Sequence, residues 1–354
     1  MKKTLLKLSV CFGVVLVLLA VHTSDYNFGL RFDALAIEDI ITLEETVFDY
    51  EENGGEITIK GFKTGKESAV SVEIPQTING KPVTKIADNA FDMCTKVKTI
   101  TLPDGLKSIG DKAFYYNAIT ELVIPDSVVE IGKEAFGSCT LLTEVKLPKS
   151  LEVIGDGTFS NCHALKTVTL PENLKEIGEK AFYYNAITEL IIPDGVTKIG
   201  KDAFALCVKL ADIKLPKNLE IINDGTFSEC SSLKTVTLPE SLKGIGKNAF
   251  QNTALNEIAI PDGITHISDL AFLNCKELER VQLPKILASI GSSAFSGCTS
   301  LKKIVLPDSL ISIGKNAFDG SGLTDITLNE GLEEIGLSAF WGTDIKELTI
   351  PSTV

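Results

Sequence analysis

The side chains best suited to chemistry here are three histidines and eight cysteines. Nucleophilic or general-base catalysis would need one of them held beside an orienting acid. His22 lies near the N-terminus, and His163 and His266 occur within repeated segments where the corresponding residues one copy away are Ser231 and Lys198. The repeat therefore does not require an imidazole, and both read as solvated loop residues. Neither a G-x-S-x-G elbow nor an H-E-x-x-H helix motif occurs in the sequence. Gly61 to Glu67 superficially resembles a phosphate loop, but its spacing is short and Glu67 stands where Ser or Thr is needed, so it reads as a turn. There is no N-x-S/T acceptor site.

The cysteines share one setting. Cys94, Cys139, Cys162, Cys207, Cys230, Cys275 and Cys298 each follow a phenylalanine by three positions, and Asn117, Asn185, Thr253, Ser321 and Thr343 occupy the same slot elsewhere. Turns stacked roughly 5 Å apart would bring Cys139 to Cys162, Cys207 to Cys230 and Cys275 to Cys298 within disulfide reach. Because Asn and Thr substitute at that slot, the common requirement is a small side chain that bonds backbone groups, and buried thiols are expected. No C-x-x-C or histidine pair suggests a metal site. Catalytic, cofactor and metal residues are accordingly expected to be none, and the chain is read as not an enzyme.

The elements that position these residues form an array. The phenylalanines Phe91, Phe114, Phe136, Phe159, Phe182, Phe204, Phe227, Phe250, Phe272, Phe295, Phe318 and Phe340 are spaced by 22 or 23 residues throughout. A fixed period in this range marks a stacked solenoid. Each unit divides at a proline, or at Asn329 in one case. Before it runs L-x-x-V-x-L, as in Leu165, Val168 and Leu170, which alternates like a half-buried strand and stops where proline cannot donate to the ladder. After it come Leu174, Ile177, Ala181 and Phe182. Gly178, directly after the isoleucine, is replaced by Asn223 in one turn, which predicts a left-handed corner there. Ser268 and Ala87 at the same place weaken that expectation. The short spacing then predicts a brief strand and one helical turn around the Ala-Phe.

A longer period is also present. Phe114 to Ala181 and Phe182 to Ala249 agree at 46 of 68 aligned positions, so the array reads as copied three turns at a time.

The unit Phe-x-x-Cys-x-x-Leu-x-x-Val-x-Leu-Pro-x-x-Leu-x-x-Ile-Gly-x-x-Ala-Phe resembles the BspA-like leucine-rich repeats, from about Phe48 to Val354. Asn329 for proline and Thr158 and Thr226 for alanine depart from the pattern without threatening it. The fold expected is a β-rich, right-handed leucine-rich-repeat solenoid with a parallel concave sheet of about 12 turns and short strands or helical turns on the other side.

The ends read differently. Lys2, Lys3 and Lys7 precede an apolar run from Leu8 to Val21, the order of a secretory signal peptide over 1–24 and too short a run for a comfortable membrane span. Residues 25–47 read as an acidic linker or pro-like segment, and 48–74 as an N-terminal β-hairpin cap turning at Asn53-Gly54-Gly55. The solenoid occupies 75–354 with its last turn incomplete, which suggests a fragment or a covered edge. Net charge is −13, and removal of three lysines and no acids with 1–24 makes it −16. That balance argues against nucleic-acid phosphates or an anionic membrane surface as partners.

What remains is surface. Four residues before the proline runs a column containing Glu121, Glu144, Glu189, Asp212, Glu257, Arg280 and Lys303. Tyr115, Tyr116, Tyr183 and Tyr184 add aromatic groups in two matching turns. These eleven residues are the candidate protein-binding set. The expected protein is exported, secreted or held at the cell surface, with membrane attachment only through its signal or an unseen anchor, and without a small-molecule substrate. Resemblance to the BspA-like family implies an adhesin recognising host, matrix or cell-surface proteins. A structural scaffold packing through the array, or the recognition part of a longer protein, stands as the alternative.

Overall fold

The computed structural model describes residues 47–63 and 69–354. The signal-peptide reading and, apart from Val47, the acidic-segment reading lie outside the described residues, as does most of the Gly61 to Glu67 stretch. Within them, β1 (Phe48–Asn53) and β2 (Glu56–Phe62) pair antiparallel around Gly54 and Gly55, both at positive φ. β2 then pairs in parallel with Lys81–Ile86 of the first turn.

From there the chain winds as a parallel β-solenoid of about 12 turns. Each turn contributes three walls. The front wall is the strand that precedes the proline, such as Glu121–Val123, Glu144–Lys146 and Thr167–Thr169 in register. The second wall is a two-residue strand ending at the isoleucine, such as Val153–Ile154, Glu176–Ile177 and Lys198–Ile199. The third wall carries the Ala-Phe.

That third wall corrects the expected helical turn, since the described residues contain no helix. The residues two before and two after each phenylalanine take a left-handed backbone, as at Lys112 and Tyr116 (φ 53° and 55°) or Gly225 and Glu229 (φ 63° and 64°). Alternating the backbone in this way turns N–H groups toward the next turn. Asn89, Phe91 and Met93 donate to the carbonyls of Asp111, Ala113 and Tyr115 at 2.8 to 2.9 Å. A helix would have spent those donors within its own turn; the array uses them between turns.

The expected left-handed corner at Gly178 is also corrected. Its φ is not positive, and the reason for glycine is distance: a Cβ there would lie 2.6 Å from the Asp156 backbone nitrogen. Gly178 N donates to Ile154 O at 2.8 Å, so the two turns touch backbone to backbone. Ala87 keeps the backbone bond, to Ile59 O at 2.8 Å, whereas Asn223 and Ser268 make it with their side chains. Asn223 Nδ2 reaches Ile199 O and Ser268 Oγ reaches Ile245 O, both at 2.6 Å. Ladder pairing in the second wall is interrupted before both turns, and also before the turn of Gly155.

Between the walls the phenylalanines form one continuous stack. From Phe91 to Phe340 neighbouring rings are nearly parallel, for instance Phe182 to Phe204 at 5.6 Å and 3°, an offset arrangement that suits aromatic quadrupoles. Phe62 closes the stack edge-on against Phe91 at 5.0 Å. Leucine, isoleucine and valine surround it, most of them buried, with a few such as Ile100, Val236 and Val281 only partly so.

Candidate binding face

Where it holds Asn117, Asn185 or one of Cys139 to Cys298, the polar slot behind the phenylalanine satisfies a carbonyl of the preceding turn. Cys139, Cys162, Cys207, Cys230 and Cys298 donate Sγ–H to the phenylalanine carbonyl of the preceding turn at 3.1 to 3.2 Å. Asn117 Nδ2 does the same to Phe91 O at 2.8 Å, and also to Tyr115 O at 3.2 Å. The Asn-type turns are one residue shorter, and the second amide hydrogen serves a carbonyl of their own turn. Cys139 to Cys298 are buried thiols rather than disulfides. Burial pushes the Cys139 and Cys207 thiols up to about 12 and Cys275 to about 11. No thiolate forms near neutrality, so the ladder is structural. Among the described residues no group of three or more metal-binding side chains comes together.

The front wall presents its charged column to solvent. Glu121, Glu144, Glu189, Asp212, Glu257, Arg280 and Lys303 are all exposed, while the residue after each is buried or half-buried. Pleating explains this, since successive side chains leave opposite faces of a strand. Parallel register sets Glu121 beside Glu144 and Glu189 beside Asp212. It also sets Glu257 beside Arg280, closing an ion pair at 2.9 Å, and Lys303 beside Asp325 at 3.9 Å. The column therefore carries unneutralised acid in its first two thirds and paired charge beyond. A groove of about 760 Å³ runs over the paired part, lined by Thr237, Ala259, Arg280, Gln282 and Lys303 among others. Ala259 stands where the earlier blocks have Val123 and Ile191, which leaves room for it.

The tyrosines belong to the third wall, so the structure does not bring them together with the charged column. Tyr115 and Tyr183 are half-buried; Tyr116 and Tyr184 are exposed at the left-handed positions. The two copies also differ. His163 lies against Tyr184 with centroids 4.3 Å apart, whereas Thr95, one copy earlier, leaves a 270 Å³ pocket beside Tyr116, Asn117 and Leu141. Val123 and Ile191, outward-facing by their place two before the proline, are exposed at 60% and 68% but are not among the eleven candidate residues. Their signal was present in the column two before the proline, where an apolar residue interrupts threonine and lysine.

Comparison with known proteins agrees with this geometry. The family model described as "BspA type Leucine rich repeat region (6 copies)" matches residues 55–187, 130–256 and 243–354. A leucine-rich repeat protein of Bacteroides ovatus is similar in structure, with 29% identity, a TM-score of 0.50, and coverage of 87% of this chain and 94% of that one. A leucine rich cell surface protein of Faecalibacterium prausnitzii is similar at 26% identity and a TM-score of 0.52, over 85% of this chain and 92% of that one. No curated protein matches the chain.

Proposed function

The chain belongs to the BspA-type leucine-rich repeat family, and from that premise we propose that it is an exported, non-enzymatic binding protein of the cell surface, an adhesin that recognises host or matrix proteins. One observation carries the reading. A rigid stack holds a column of exposed, chemically varied side chains at fixed spacing on the front wall, while the residues that specify the turn are buried behind it. Such a surface binds by many modest contacts over a long face, as solenoids do. The described side chains give no support to a rival chemistry: the thiols from Cys139 to Cys298 are protonated and engaged in the ladder, and His163 and His266 sit 103 positions apart in sequence. The relative described as a cell surface protein supports the location. No helix among the described residues is long and apolar enough to cross a membrane.

The test is retention of soluble matrix or plasma protein, or of host cells, on immobilised protein beginning at Asp25. Saturable retention is expected, and it should fall when salt is raised because the face is charged. Retention no better than that of a scrambled-repeat control would reject the adhesin role.

A further inference from the structure

The front wall includes two three-stranded blocks followed by a third block in which Glu257–Ala259 pairs with Arg280–Gln282, and the surface chemistry of the first two repeats. The first reads Glu121 with Val123, Glu144 with Lys146, and Thr167 with Thr169; the second reads Glu189 with Ile191, Asp212 with Lys214, and Thr235 with Thr237. In each, the first two strands, about 4.8 Å apart, set two acidic residues side by side. Like charges directly opposite one another destabilise a sheet. Among the described residues, none of these four acids is in an ion pair.

The fold does not require this arrangement. In the third block Arg280 stands where the second has Asp212, and it closes on Glu257 at 2.9 Å with the strands in the same register. The same site thus accepts opposite charges and relieves the repulsion. Beside each unrelieved pair sits an exposed aliphatic side chain, Val123 or Ile191, which the third block reduces to Ala259. A doubly anionic spot next to an apolar one therefore occurs twice, three turns apart, on an otherwise threonine-rich face.

We infer that this face docks an extended peptide segment bearing lysine or arginine at two positions four residues apart, lying along the array across its strands. This rests on the binding-protein reading above and names the chemistry of the partner. Three turns at about 4.8 Å separate the two acid pairs by about 14 Å. An extended peptide advances about 3.4 Å per residue, so four residues span that distance, and side chains four apart leave the same face of the segment. Each cation sits between two carboxylates, with its methylene stem against Val123 or Ile191. The side chain midway between them meets the Thr167 strand. Lys146 and Lys214 border the acid pairs and disfavour additional basic residues beside the two anchors.

The experiment titrates the whole protein with a nine-residue Ser/Thr peptide carrying lysines at its third and seventh positions, against the same peptide with lysines at the third and sixth. The four-apart peptide is expected to bind more tightly and to weaken as salt rises. Glu144→Arg with Asp212→Arg copies the third block, so the melting temperature should hold or rise while peptide affinity falls about tenfold. Arg280→Asp supplies a third acid pair and should tighten a peptide with three lysines spaced by four. Equal affinity for both lysine spacings, or unchanged affinity in the folded double variant, would overturn the inference. So would millimolar calcium occupying the acid pairs in preference to the peptide. Should the double variant still be retained on matrix protein as the parent is, the basic-peptide reading alone fails; should the parent never be retained while the peptide binds, the adhesin reading alone fails.

Discussion

Cys207 offers the sharpest test of how the interior is built. Its thiol is fully buried, donates to Phe182 O at 3.1 Å, and is pushed by burial from 9.0 up to about 12. In the unfolded chain the same thiol ionises near the ordinary value. Between pH 9 and 12 the unfolded state therefore holds fewer protons than the folded state, and stability falls as pH rises. Below about pH 8 both states are protonated and the effect is absent. One thiol with these values destabilises by about 1.5 kcal/mol between pH 9 and 10.5. Cys207→Ser removes this titration and keeps a hydroxyl donor for the Phe182 carbonyl, and the other thiols contribute equally to both proteins. Urea unfolding followed by far-ultraviolet circular dichroism at pH 8, 9, 10 and 10.5 should show the separation of parent and variant change by only about 0.4 kcal/mol between pH 8 and 9. Above pH 9 the difference should change by about 1.5 kcal/mol in the variant's favour. A difference that stays constant to pH 10.5 would show that the thiolate is tolerated in the folded state, and the dry-slot reasoning would be wrong.

Three further outcomes follow from the packing. Gly200→Ala places a Cβ 2.4 Å from the Glu179 backbone nitrogen and should cost about 1–3 kcal/mol, whereas Gly105→Ala meets nothing within 4 Å and should leave thermal unfolding unchanged. Phe204→Ala empties a place in the stack between Phe182 and Phe227, and a loss of about 3–5 kcal/mol in chemical denaturation is expected. Tyr116→Ala with Tyr184→Ala removes exposed rings from the third wall; a melting temperature within a degree or two of the parent is expected, and a large fall would show these tyrosines to be core.

Much of this protein was legible in sequence because each turn repeats the same physical problem. Leu165, Val168, Leu170, Leu174, Ile177, Ala181 and Phe182 recur at fixed offsets, and a spacing that returns every 22 or 23 residues has one economical solution, a stack of turns burying those positions. The slot shared by Cys, Asn, Thr and Ser likewise announced a ladder of small donors. The glycine after the isoleucine was misread, because a sequence shows that a side chain is missing but not whether backbone angle or a neighbouring turn forbids it. Gly178 is excluded from having a Cβ by Asp156, one turn away. The Ala-Phe segment was misread for a related reason: local spacing suggests a helical turn, yet its N–H groups find better partners in the next turn than in their own.

The candidate face divides in the same way. Composition of the column from Glu121 to Lys303 was fixed by sequence, since the motif leaves those positions free of packing. Which acids stand alone was decided only by register, a tertiary property: the stacking of one turn on the next puts Glu144 beside Glu121 but Arg280 beside Glu257. Charge along a chain is written residue by residue, whereas its compensation depends on neighbours 22 or 23 residues away.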